Sequence, residues 1–197
     1  MKKLFSNIWF RCISVHLIIA LISGGVLALL NDLLFVSPLE RSMRAIKKIY
    51  GEEKEISTII DTDSDDETIN SPIEFEEYGT INKIFKVQNG NTSDLLFRTT
   101  GIGGYNNGTV TLWVQVVYQN NQEKIQKVIL EGFEKQTLMS KLDGSFYNNY
   151  LIDISDDYFV ENKDEQGLLN PVSGATYSAT ASNNAVNCVI AYLRGTR

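Results

Sequence analysis

Apolar positions along this chain follow different periods in different stretches, and each period predicts a different element. Near the start one continuous apolar run extends from Cys12 to Leu30, broken only by Ser14, His16, Ser23 and small glycines. It is long enough to cross a hydrocarbon core of about 30 Å as one helix. Leu33, Leu34, Phe35 and Val36 prolong it. Residues 12–34 are expected to form a transmembrane anchor, preceded by a short segment, 1–11. From Pro38 to Tyr50, by contrast, Leu39, Met43, Ile46 and Ile49 with Tyr50 share one side of a helix, while Glu40, Arg41, Arg44, Lys47 and Lys48 lie elsewhere. The basic side could lie on anionic headgroups or simply face water, which is the commoner arrangement. Glu52 to Glu77 then loses apolar periodicity and gains acid, including Asp61, Asp63, Asp65, Asp66 and Glu67. A solvated linker is expected there, so that 35–80 connects the anchor to a domain over 81–197.

In that domain the period shortens to two. Ile84, Phe85 and Val87 end at the turn signal Asn89-Gly90-Asn91, and Leu95, Leu96 and Phe97 lead into the glycine-rich Gly101 to Gly108. Val110, Leu112, Val114 and Val116 alternate with Thr111, Trp113 and Gln115. The chain turns at Gln119 to Gln122 and returns over Ile125 to Leu130, which predicts an antiparallel hairpin. Leu138, Leu142, Phe146 and Tyr150 recur every four residues, as in a helix broken near Gly144. Tyr158 to Val160 reads as a further strand, and Asn162 to Leu169 as a polar loop. Ala179, Ala181, Ala185, Val186, Val189, Ile190 and Leu193 give the last helix its apolar side. The class is α+β: an antiparallel sheet with packed helices, preceded by one transmembrane helix.

Charge orients the anchor. Lys2, Lys3 and Arg11 precede it and Asn31 and Asp32 follow, which places the N-terminus in the cytoplasm and the C-terminal domain in the extracellular or periplasmic space. No small-x-small site ends the run, which favours a retained cell-membrane anchor over a cleaved signal peptide. Net charge is −6, and no basic stripe with interleaved aromatics follows the anchor, so nucleic acid is not an expected partner. The cysteines are Cys12, at the inner membrane edge, and Cys188, among Val186, Val189 and Ile190. They imply neither a disulfide nor a metal site. His16, the only histidine, falls inside the anchor, so the domain has none for acid–base work or zinc. The Asp61-x-Asp63-x-Asp65 opening of a calcium loop is not completed: Asp66 stands where glycine belongs and Pro72 where glutamate belongs.

The candidate chemistry lies just before the last helix, in Ser173-Gly174-Ala175-Thr176-Tyr177-Ser178, with Pro171 marking the loop ahead. A hydroxyl on a backbone loosened by glycine, at a helix N-terminus, is a natural seat for phosphate. The competing reading is an ordinary N-cap, in which a Ser or Thr oxygen accepts from free helix amides at a gain of ~1 kcal/mol. Gly104 and its neighbours can bring backbone amides close to a phosphate or a planar ring, or simply make a tight turn. Tyr105, Trp113 and Tyr177 are aromatics suited to stacking on such a ring, or to a core.

Taken in order, the anchor, the Gly104-Tyr105-x-x-Gly108 turn entering an apolar strand, the hairpin and Ser173-Gly174-Ala175-Thr176-x-Ser178 before a terminal helix resemble the FMN-binding domain family. Within it the chain looks like the anchored flavin-bearing member of the Rnf ion-translocating oxidoreductase complex, which is related to its counterpart in the sodium-pumping NADH:quinone reductase. The resemblance spans about Leu95 to Leu193. It implies FMN held covalently through a phosphoester on Thr176, installed from FAD by a separate flavin transferase. Ser173 and Ser178 would bond the phosphate, Gly174 would admit the transferase, and Ala175, Tyr177, Gly104, Tyr105 and Thr137 would complete the flavin site. The other partners implied are the remaining subunits of a membrane redox complex.

The chain also differs from the family pattern. Asn170 stands where an aspartate usually precedes the acceptor threonine, and Glu134-Lys135-Gln136-Thr137-Leu138-Met139 replaces a Glu-Thr-Pro-Gly-Leu-Gly segment. Two other functions stay open: an extracellular flavin carrier without ion pumping, and a non-redox, membrane-tethered interaction domain.

Overall fold

The computed structural model of the chain describes residues 8–34, 37–52, 54–90, 92–119, 122–142, 144–154 and 172–195. These form two compact units, Met1–Ser42 and Met43–Arg197. In the first, helix α1 (Ile8–Leu34) contains an apolar stretch, Cys12–Leu30, that is long and apolar enough to cross a membrane. Its described apolar side chains are exposed, as a span facing lipid requires. His16 donates from Nδ1 to the Cys12 carbonyl at 2.8 Å, and Ser23 Oγ donates to the Ile19 carbonyl at 2.7 Å. Each side chain thereby finds a backbone partner within the helix.

Helix α2 (Pro38–Tyr50) runs over the stretch expected for the amphipathic helix. On its apolar side Ile46 and Ile49 pack with Phe85, Val87, Leu96 and Trp113 on one face of the sheet. Lys127 Nζ donates to the Lys48 and Ile49 carbonyls at 3.2 and 2.9 Å, satisfying acceptors that the helix end leaves open.

The sheet is six-stranded and antiparallel, in the order β1 (Ile56–Asp61), β3 (Gly79–Asn89), β4 (Thr92–Gly101), β5 (Thr109–Gln119) and β6 (Gln122–Glu134). The short β2 (Ile73–Phe75) pairs with the start of β3. Strand alternation sorts the two faces as the period of two requires. Val110, Leu112, Val114 and Val116 face the main core, whereas Trp113 joins the α2 cluster. An irregular register between Ile81 and Lys83 shifts β3, so that Ile81 and Ile84 both enter the main core.

The main core is closed by α4 (Thr176–Gly195), whose Ala179, Ala185, Val186, Val189, Ile190 and Leu193 are buried. The helix approaches closely because its contact residues are small. A Cβ at Gly101 would lie 2.0 Å from the Ala181 carbonyl oxygen and 2.3 Å from the Ala185 nitrogen. Glycine is required there by helix–strand contact.

Two stretches depart from the sequence expectation. The acidic tract is no simple linker: it contributes β1 and β2 to the sheet. Its Asp61 and Asp63 carboxylates lie 2.8 and 2.7 Å from the Nζ of Lys83, which is 2 % exposed. A buried ammonium needs such partners, and they come from a tract whose composition alone reads as solvated. Over Leu138 to Tyr150 the break expected near Gly144 is present, but the pieces on either side of it are a single turn and a short helix. After β6 comes a 3₁₀ turn, Met139–Lys141, and then the short α3 (Gly144–Asn148). Leu142, Phe146 and Tyr150 are buried from separate turns, and Leu138 is exposed. The strand expected at Tyr158 to Val160, the loop at Asn162 to Leu169, and Asn170 lie outside the described residues.

Candidate functional site

The site begins with the start of α4. The Ala175 amide closes a turn onto the Val172 carbonyl at 2.8 Å, and the Ala175 carbonyl accepts the first helical bond, from Ala179, at 2.9 Å. The cap position is therefore an alanine, and it offers no side-chain oxygen. Among the described residues no hydroxyl caps the first turn, so the expectation that Ser173 or Thr176 is an ordinary N-cap is not met. Among the described residues the first amides of this 20-residue helix thus meet no side-chain cap, at the positive end of its dipole.

Against this end lies a pocket of about 440 Å³ lined by Tyr105, Thr137, Leu138 and the continuous run from Gly174 to Ser178. Its volume falls within the range of about 300–1,000 Å³ typical of small-molecule sites. Thr176 is exposed at its edge. Tyr105 and Tyr177 meet edge to face with centroids 6.1 Å apart, and both remain more than half exposed. Most of the residues proposed from sequence thus converge, although Tyr105 and Thr137 come from segments distant from α4. Ser173 belongs to the adjoining turn, and Gly104 is buried beneath Tyr105.

Trp113 does not join them. It is 4 % exposed and stacks with Phe85 at 6.2 Å on the α2 side of the sheet. The expectation for Ser178 also changes: it is buried, and its Oγ donates to Gln136 Oε1 at 2.8 Å, so that proton is already engaged. The glycines serve packing within the chain. Gly101 and Gly103 admit α4, and Asn184 Nδ2 donates to the Ile102 carbonyl at 2.9 Å. At Gly104 and Gly108 a Cβ would fall 1.9 and 2.4 Å from Gln136 Nε2.

Two site residues carry no sequence signal of their own, being a polar residue in a loop and a surface cation. Gln136 stands behind the pocket wall. Lys141, from the 3₁₀ turn, donates from Nζ to the Ser173 carbonyl at 3.2 Å and sits so close to Gly174 that a Cβ there would lie 2.7 Å from it. Gly174 also holds φ +77°, a conformation that favours glycine. The tight turn before Thr176 thus depends on one residue for both its backbone angle and its cation.

Chemically the pocket can bind and display, with a helix start for an anion, a cation on the adjoining turn and two tyrosines for a flat apolar group. Among the described residues its lining carries no histidine or carboxylate. The buried titratable groups of the adjoining core are held neutral: burial pushes the Cys188 thiol up to about 12 and the Tyr147 phenol up to about 12, and drives Tyr150 well above its usual range. Cys188 therefore packs as a small hydrophobe. Among the described residues no group of three His, Cys, Asp or Glu side chains is placed to hold a metal.

No protein-family model matches this chain, and no curated protein matches it.

Proposed function

We propose that this chain is a membrane-anchored electron-transfer subunit that carries FMN covalently on Thr176, within an Rnf-like ion-translocating oxidoreductase. The observation that carries this reading is the convergence of Thr176, the start of α4 and two exposed tyrosines on one pocket, with Lys141 bonded to the turn that adjoins it.

These residues suit the group. Thr176 Oγ1 would hold the phosphorus, and the first amides of α4 and the Lys141 ammonium would face the remaining phosphate charge. The helix end contributes ~0.3–1 kcal/mol to that. Tyr105, Tyr177 and Leu138 would flank the ring, and Thr137 offers a hydroxyl beside it. The flavin supplies reversible electron storage; the protein supplies position and tuning. Among the described residues the pocket lining offers no base to deprotonate Thr176, and the reading assigns that task to a separate transferase. In that step the Thr176 hydroxyl would exchange its proton, taken by the transferase, for the FMN phosphoryl of FAD, with AMP as the leaving group.

Lys2, Lys3 and Arg11 ahead of the apolar run favour an N-terminus in the cytoplasm and a flavin domain outside. A covalent bond suits that location, where a free flavin would diffuse away. The other subunits of the complex would supply and accept the electrons.

The reading is tested by intact mass after co-expression with an active flavin transferase. The expected gain equals FMN minus water, on the peptide holding Thr176. Thr176→Ala should abolish both the gain and the fluorescent band in a denaturing gel. It should change stability by no more than about 0.5 kcal/mol, because the exposed Thr176 is not the cap. An unmodified wild-type mass would leave a tethered, non-redox interaction domain as the reading.

A further inference from the structure

Gln136 occupies a position that its sequence neighbours do not explain. Lys135, at φ +54°, turns the chain out of β6, and Gln136 follows, only 7 % exposed. Its Oε1 accepts from Ser178 Oγ at 2.8 Å and from the Tyr105 amide at 3.4 Å. One oxygen thus joins the first turn of α4 to the turn that carries Tyr105, and both donors belong to residues lining the pocket. The same amide group fills the space that Gly104 and Gly108 leave open.

The other end of that amide is unfavourable. Gln136 Nε2 is buried and finds no acceptor among the described residues. An apolar side chain of the same length would fill this space without an orphaned donor. What it would not supply is the oxygen, and the oxygen is where two pocket walls meet.

We propose that Gln136 is the positioning residue of the pocket, setting the gap between Tyr105 and Thr176 by tying both of their segments to one carbonyl oxygen. This rests on the reading of the pocket as a flavin site. Gln136 touches neither the reacting atoms nor the phosphate; it acts through Tyr105 and Ser178.

The test compares the full-length chain in detergent with Gln136→Met, which keeps length and removes the oxygen, and with Ser178→Ala, which cuts the tether at its helix end. Hydrogen exchange over residues 101–108 is expected to quicken about tenfold in Gln136→Met, as loss of one hydrogen bond implies. Ser178→Ala should move it in the same direction, and serves if Gln136→Met fails to fold. With FMN attached, Gln136→Met should keep the modified mass, while flavin emission rises and its anisotropy falls as the ring loosens. Unchanged exchange and unchanged emission in both variants, with FMN attached, would overturn the positioning role alone. A wild-type chain that carries no FMN beside an active transferase would overturn the flavin reading and this role with it.

Discussion

The two faces of the sheet are made from the same strands, yet the candidate site gathers at the helix start on one of them. On one face α2 is held off by large side chains, Ile46 and Ile49 against Phe85 and Trp113. On the other, α4 rests on backbone, with Ala181 and Ala185 against Gly101. Residue size sets how deep each helix sits. The deep helix has its N-terminus carried down to the strand ends, where Tyr105, Thr137 and Lys141 are within reach. The shallow helix covers apolar surface, and its far end is satisfied by Lys127. Close approach, more than any single reactive group, separates a site from a lid.

The sharpest way to break this contrast is to restore a Cβ at Gly101. Gly101→Ala would drive a methyl into the backbone of α4, and a loss of about 3 kcal/mol is expected from overpacking of this kind. Denaturant midpoints would measure it, and the pocket should lose its shape with it. If Gly101→Ala were tolerated within experimental error, contact of α4 with backbone would not be what places the site.

On the opposite face, Ile46→Ala is expected to cost about 2 kcal/mol, the lower end for a large-to-small core change, since the flexible Met43 lies beside it. The same variant should keep its flavin attachment, as judged by mass. Loss of attachment in a folded Ile46→Ala protein would show the faces to be coupled.

A smaller effect, set by pH, falls on both faces. In the α4 core, burial raises the Cys188 thiol from its ordinary 9.0 to about 12 and Tyr147 from 10.0 to about 12. Burial also raises Tyr50 on α2, with the Asp94 carboxylate adding to it. Groups raised in the folded state favour the protonated form. Their stabilisation is therefore complete below the unfolded values, and it is lost as pH climbs from about 9 towards 12. Melting temperature should hold steady to about pH 8 and then decline, with Cys188→Ala removing the earliest part of the decline. A decline of equal onset in Cys188→Ala would assign it to other groups.

The smallest change in stability is expected at Lys141. Lys141→Glu replaces an exposed cation and should alter the unfolding free energy by less than about 0.5 kcal/mol. Attachment of FMN, followed by mass over time, should nevertheless slow several-fold, because a carboxylate would then face the phosphate. An unaltered time course would remove Lys141 from the site.

What was legible in the sequence was periodic or local. The apolar run of α1, the helical spacing of α2 and α4, and the alternation along β5 each express a repeat that backbone geometry imposes on every copy of the element. The run from Ser173 to Ser178 was legible for a related reason, since glycine and hydroxyl residues ahead of a helix limit what the chain can do there. Tertiary structure decided the rest, through contacts between residues far apart in sequence. Only the folded sheet brings Asp61 and Asp63 to Lys83, making strands of a tract whose composition resembles a linker. Only α4 lying on Gly101 shows that Ala175 is the cap and that Ser178 bonds Gln136. Trp113 and Tyr105 looked alike as candidates until strand pairing sent one to each side of the sheet. Burial, orphaned donors and approach distances depend on what arrives from elsewhere in the chain, and no window of neighbouring residues contains that.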